Sequence, residues 1–247
     1  MSHAAMRLGK APAKHDPRTL RLARYIAALP PPPARTSWAD VLPADLGVML
    51  NDRLGDCTCA GMAHARQVWT ANNGAPMLTT PDETVQRWYQ ESCGYDPADP
   101  SSDQGGVEVD VLRYFRKLGI IDAFAAIDPK NRDHMRAAIW LFGGAYIGVS
   151  LPVSAQVQDV WHLAVAGTDG DPTPGSWGGH CVYVVDYDQT GLTCITWGQR
   201  KRMAWEWWDA YCDEAFALLS RDWADDDGAP SGFDLAALQS DLAAVTG

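Results

Sequence analysis

The chain changes its hydrophobic period once, near residue 143. Before that point apolar residues recur at helical spacing; after it they run in short β-rich stretches. A helix is expected over 57–72, stopped by Asn72, Asn73 and Gly74. A second opens at Thr80-Pro81-Asp82-Glu83, with Thr80 as N-cap, Pro81 at the first helical position and Glu83 closing a capping box. Val85, Trp88 and Tyr89 form its apolar face. A third, at about 108–118, puts Val111, Leu112, Phe115 and Leu118 on one face, and a fourth lies near 131–142. Strands are then expected at Ala145–Leu151, Cys181–Tyr187 and Leu192–Trp197, with Asp188-Gln189-Thr190-Gly191 as the hairpin turn between the last two. A Trp-rich stretch at 204–212 leads to a possible further strand at Ala215–Leu219. Helices first and strands later make an α+β fold, with a cleft between the halves as the natural site.

The ends read differently from the middle. Residues 1–33 form an N-terminal arm or strap, with a short helical pattern from Leu20 to Leu29 ended by the prolines Pro30 to Pro33. Residues 34–219 form the domain, and 220–247 an acidic tail with a weak last helix, in which Asp222 to Asp227 is a solvated run. The 247 residues suffice for a large core without staples.

A net charge of −11 argues against a nucleic-acid partner, because counterion release needs a basic surface. It also disfavours an anionic membrane. The uncharged run Ala137–Ala155 is interrupted by Gly143, Gly144, Ser150 and Pro152, and reads as a helix end, a turn and a buried strand instead of a span of about 20 apolar residues. No apolar core of a signal peptide opens the chain, so a cytoplasmic or virion location and free thiols are expected. Eleven tryptophans need partners for their N–H groups and are expected to line a groove or a core edge.

Of six cysteines, Cys57 stands out, in Gly55-Asp56-Cys57 at a loop-to-helix junction. The unsatisfied N–H groups and positive dipole end of a helix N-terminus favour a thiolate and can hold an oxyanion. The bland alternative is a buried structural thiol. Gly178-Gly179-His180 begins a β-rich run, where a histidine can face a cleft; a satisfied surface histidine is its bland alternative. A cysteine and a histidine far apart in sequence are what a thiol–imidazole pair requires. Cys59 is a rival nucleophile, but two residues on it points about 200° around the helix. A metal site at Cys57 and Cys59 with His64 or His180 lacks the second cysteine pair of a structural zinc pattern, so no metal or cofactor is expected. His64 and His134 read as packing and surface residues, and His162 as a residue bordering the cleft.

The order of elements over residues 34–219 resembles the papain-like cysteine peptidases. Pro33 through Trp38 resembles the family's "P…DW", with Ser37 where Asp is usual, and Asn51-Asp-Arg-Leu-Gly-Asp-Cys57 resembles "QGxCGSC". Leu78 to Glu83 resembles "LSEQ", Cys93 falls where that helix ends in "DC", and Gln104-Gly105-Gly106 resembles "CNGG". Ile139 to Leu151 resembles "GPVSVAI", His180-Cys181-Val182 "HAV", Asp186-Tyr187-Asp188 "GYG", and Thr196-Trp197-Gly198 "SWG". The stretches at Asn51–Cys57, Gly178–Asp188 and from Thr196 onward also resemble uncharacterised proteins of tailed phages and prophage-bearing bacteria.

The resemblance implies Cys57 as nucleophile, His180 as its base, and an oxyanion hole made by the Cys57 backbone N–H and the Asn51 amide. Trp197 would shield the histidine, and Gly179, Gly105 and Gly106 would line the cleft. The family's imidazole-orienting Asn falls on Ile195, with Thr196 one residue on as a weak substitute. The expected activity is hydrolysis of a peptide or amide bond in a peptide or protein substrate. The competing expectation is a catalytically degenerate papain-like virion or assembly protein, with virion or homo-oligomer partners.

Overall fold

The computed structural model describes residues 6–24, 31–165, 167–224 and 228–232. Helix α1, Cys57–Asn72, is flooded with small and apolar side chains, and all but a few are buried. It crosses the face of the sheet. The Tyr146 hydroxyl donates to Thr58 O at 2.8 Å, and the Trp69 indole donates to Phe142 O at 3.0 Å. Gly61 lets the helix approach: a Cβ there would sit 3.3 Å from Cys181 Sγ and from the Tyr146 ring.

Helix α2, Asp82–Cys93, buries Val85, Trp88 and Tyr89. The expected capping box is absent. Pro81 is the N-cap, with extended backbone, and Thr80 is buried with its hydroxyl unbonded among the described residues. Pro81 takes ψ 146° and not a helical value, so the first turn starts at Asp82 and Glu83 falls out of capping register. Helix α3, Glu108–Lys117, buries Val111, Leu112 and Phe115, whereas Leu118 lies beyond its end and is exposed.

Strand β1, Leu20–Arg21, pairs parallel with β3, Ala123–Ala126, and a 3-10 turn follows at Leu22–Arg24. The helix expected from Leu20 is therefore replaced over 20–24, where the free edge of β3 supplies the backbone partners; residues 25–30 lie outside the described residues. Strand β2, Thr36–Ser37, pairs with the far end of β6.

Helix α4, Arg132–Phe142, is capped by the Asn131 side chain, which accepts from the His134 N–H, and ends at Gly143, φ +72°. Strand β4, Ala145–Leu151, follows. The uncharged run Ala137–Ala155 is thus a helix end, a glycine turn and a buried strand. No helix among the described residues is long and apolar enough to cross a membrane.

The remaining strands are β5, Val160–Trp161; β6, Gly178–Tyr187; β7, Gly191–Thr196; β8, Gln199–Ala204; and β9, Cys212–Leu219, with helix α5, Trp205–Tyr211, between the last two. Asp188 makes the β6–β7 turn by accepting from the N–H groups of Thr190 and Gly191. The path through the sheet is β1-β3-β9-β4-β6-β7-β8-β5, with β2 beside β6. Helices on one flank and a mixed, largely antiparallel sheet on the other give the expected α+β architecture.

Part of the segment after β9 is interior. Trp223 is buried, its indole donates to Leu141 O at 2.7 Å, and its ring lies 4.9 Å edge-on from Trp38. Residues 225–227 and 233–247, which hold most of the acidic run and the last expected helix, lie outside the described residues.

Candidate active site

Three segments meet at Cys57: the N-terminus of α1, the start of β6, and the chain segment Arg7–Ala11. Cys57 is the first residue of α1, and its thiol is 1% exposed. The loop before it is tied down by Asp103, which accepts from the Gly55 N–H at 2.9 Å and from the Tyr89 hydroxyl at 2.6 Å. Tyr89 in turn accepts from the Gly105 N–H at 2.8 Å. One chain of hydrogen bonds therefore joins the Gly105-Gly106 loop to the approach to Cys57.

His180 lies on β6, paired with Val149 of β4, and is buried. Its Nε2 is 2.8 Å from Thr196 Oγ1. The indole of Trp197 stacks on the ring at 4.6 Å and 18°. Trp197 holds this position in a left-handed backbone conformation, φ +47°, that a bulky residue seldom adopts. His180 Nδ1 has no hydrogen-bond partner among the described residues. The next residue supplies the contact to the thiol: the Cys181 N–H donates to Cys57 Sγ at 3.3 Å. Strand alternation turns Ile195 into the core and brings Thr196 to the imidazole.

Burial pushes the Cys57 thiol up to about 12, with the Cys181 and Gly9 backbone N–H groups pulling it back. Burial also takes His180 down to about 3. Both groups are therefore neutral, and neither is the other's hydrogen-bond partner. Asn51 is buried, and its amide donates to Leu54 O at 3.0 Å, within its own loop. Cys59 is on another side of α1, 3.7 Å from Ser92 Oγ, and burial raises its thiol well above the usual range. All six cysteines are free. No cluster of metal-binding side chains occurs among the described residues. His64 is buried against Gln67, and His162 is an exposed residue of the 154–178 loop.

The cleft is filled by the chain itself. Gly106 donates to Gly9 O at 2.7 Å, and Ala11 donates to Gly106 O at 2.9 Å. On the opposite wall, Lys10 donates to Gly179 O at 3.0 Å. Arg7 donates to Asn51 O, and the Trp197 indole donates to Arg7 O at 3.3 Å. Gly9 is packed so closely on Gly55 that a Cβ would overlap the Gly55 carbonyl. Cys57, Trp197, Gly179, Gly105 and Gly106 thus contact one strap, while His180 and Thr196 lie behind Trp197 and Gly179. The sequence shows no pattern at Gly9 or Lys10 that points to it, because an extended strap is held by backbone bonds.

No family model matches the chain, and no curated protein matches it in sequence. Solved structures do match its shape. Xylellain, a cysteine protease from Xylella fastidiosa, is similar with a TM-score of 0.65 at 15% identity, over 87% of this chain and 97% of that one. The digestive procathepsin L 3 of Tenebrio molitor larval midgut gives 0.58 at 13% identity, over 87% and 77%. The procathepsin B S9 of Trypanosoma congolense gives 0.56 at 11% identity, over 88% and 87%. The chain has the fold of the papain-like cysteine proteases.

Proposed function

We propose that the protein is a thiol hydrolase of peptide or amide bonds, with Cys57 as nucleophile and His180 as base, held latent by residues 7–11. The observation that carries this reading is the setting of His180. Nε2 is committed to Thr196, one face is covered by Trp197, and Nδ1 has no partner, while the adjacent Cys181 N–H donates to the Cys57 thiol.

Once the strap leaves, water and substrate reach both groups, and the burial that keeps them neutral is relieved. His180 takes the thiol proton. The thiolate attacks the carbonyl carbon, the C–S bond forms, and the carbonyl electron pair moves to oxygen. The Cys57 backbone N–H, at the start of α1, faces that oxyanion. The Asn51 amide joins it after releasing Leu54 O. His180 returns its proton to the leaving nitrogen as the C–N bond breaks, and then activates water to hydrolyse the thioester.

A second reading is favoured by the same closed cleft: a catalytically degenerate papain-like protein with a virion or assembly role, partnering a virion component or a second copy. The neutral pair, the hydroxyl of Thr196 in place of an amide, and the sealed groove support it. The sequence strings at Asn51–Cys57 and Gly178–Asp188 support a phage or prophage setting for either reading.

Alkylation of Cys57 against pH, read by mass spectrometry with Cys59 as comparator, separates the two. In the intact chain Cys57 is expected to react slowly at neutral pH. In Gly9→Val, which cannot seat the strap on Gly55, the apparent pKa is expected to fall below the free-thiol value of about 8.5. Adding His180→Ala should abolish that fall. A Gly9→Val chain whose Cys57 reacts no faster than Cys59, or is indifferent to His180, sinks the hydrolase reading.

A further inference from the structure

The side chain of Lys10 is buried in a pocket beside the cleft, and the pocket is built for a cation. Lys10 Nζ lies 3.0 Å from Asp213 Oδ1, 3.2 Å from Glu214 Oε1 and 3.3 Å from Ala11 O. The Lys10 side chain is 1% exposed. Adjacent strand residues normally face opposite ways. Here the β4–β9 register slips, pairing Gly148 with Glu214 but Val149 with Cys212, so Asp213 is the extra residue of a bulge. The bulge lets Asp213 and Glu214 address the same ammonium.

The pocket is also hollowed to fit an alkyl stem. A Cβ at Gly148 would collide with Lys10 Cε and stand 2.7 Å from Glu214 Cγ. Behind the ammonium is Glu108, the first residue of α3. It is fully buried, with the Cys181 thiol beside its carboxylate. Burial and the Glu214 charge push its carboxyl well above the usual range, and Lys10 pulls it back. Burial alone would lower the Lys10 ammonium; Glu108, Glu214 and Asp213 together more than reverse that. Three carboxyl side chains facing one lysine are more than a strap needs to dock. The strap meanwhile makes the backbone bonds of an extended peptide, to Gly106 on one wall and Gly179 on the other.

We propose that this pocket is the specificity pocket for a lysine or arginine side chain of the substrate, and that Lys10 occupies it as a pseudosubstrate. The proposal rests on the reading of the cleft as a peptidase site. A basic side chain replaces Lys10 in kind. A neutral one leaves buried carboxyl groups without a counter-charge, which is how a site rejects the wrong ligand. Glu214 and Asp213 hold the cation, the buried Glu108 carboxyl faces it, and Gly148 keeps the channel open.

Two experiments on the full chain test it. First, Gly9→Val/Cys57→Ala is titrated with a fluorescent hexapeptide of the strap sequence Met6–Ala11 and with its Lys10→Met analogue. The lysine peptide is expected to bind at least about tenfold tighter, one order of magnitude being a modest share of what a buried charge pair commands. Glu214→Gln should erase the preference. Equal affinity for the two peptides, or a preference that survives Glu214→Gln, overturns the proposal. Second, n-butylammonium should raise the melting temperature of Lys10→Ala and leave that of the intact chain unmoved, while 1-pentanol raises neither. An absent or equal response to the two compounds overturns it, and this arm decides if the hexapeptide cannot displace the tethered strap. Restoring Cys57 in Gly9→Val separates the two ideas. A basic peptide bound but uncut removes the hydrolase reading alone. Peptides cut without regard to charge remove the pocket alone.

Discussion

At the scale of single residues, the imidazole of His180 is met by a hydroxyl, Thr196, one step past the position where the family resemblance places an amide. The sequence puts Ile195 at the orienting position and Thr196 one step on. The strand puts Ile195 in the core and Thr196 Oγ1 at 2.8 Å from the imidazole. The offset was legible in sequence, because a pleat turns neighbouring side chains to opposite faces and Thr196 is the polar residue next to Ile195. Thr196→Val is expected to slow Cys57 chemistry in the strap-displaced chain by about tenfold to a hundredfold, less than the roughly 10⁴ that loss of an orienting carboxylate costs, because a hydroxyl is a weaker, neutral partner. Thr196→Ser should keep most of the rate. Alkylation kinetics of Cys57 in the Gly9→Val background measure both, and equal rates for the valine and serine variants would show that the hydroxyl orients nothing. The places of Cys57 at a helix start and His180 near a strand start were legible in sequence because each leaves a local mark. Lys10, Glu108, Asp213 and Glu214 were not, because their meeting depends on a bulge and on a strap with no periodicity.

Among elements, those with a dense apolar period were read most closely. Helix α1 runs over the expected 57–72 and β4 over the expected 145–151. Strand β8, Gln-Arg-Lys-Arg-Met-Ala, has too little apolar content to announce itself; it extends the sheet beyond β7 and carries the charge common near sheet edges. Strands β1, β2 and β5 are two residues each and exist only through their partners. Trp223 is similar in kind. It follows the last strand in an acidic stretch, yet its ring fills the space over Gly143, where a Cβ would stand 2.5 Å from it. Trp223→Ala is expected to cost about 3–5 kcal/mol, the usual range for emptying a buried tryptophan site. Urea denaturation followed by circular dichroism would measure this, and a loss below 1 kcal/mol would mean that the segment is not part of the folded core.

The whole molecule carries several buried ionisable groups whose pH dependences oppose one another. His64 and His180 are depressed to about 4 and about 3 by burial. A histidine held neutral stabilises the fold in full above its unfolded value of about 6.5, and that contribution is lost as pH falls from there toward the folded value. Asp56 and Glu108, raised by burial, act the other way: their contribution is present at low pH and is lost as pH rises through the unfolded carboxylate range. Net acid sensitivity therefore does not report on one group. The difference between the intact chain and His64→Gln does. Between pH 7 and 4.5 the intact chain should lose about 2 kcal/mol more than the variant, since one pKa unit is worth about 1.4 kcal/mol. Parallel loss in the two chains would mean that His64 is not held neutral.

Residues 9–11 are bonded to the helical wall through Gly106 and to the sheet wall through Gly179. A segment that stitches both walls together is also a brace, so opening the groove loosens the seam between the halves. On the proposed reading, activation and ageing are one event: release of the strap opens the groove and also frees the two walls it joins, so the working lifetime is set by how fast the unbraced halves part.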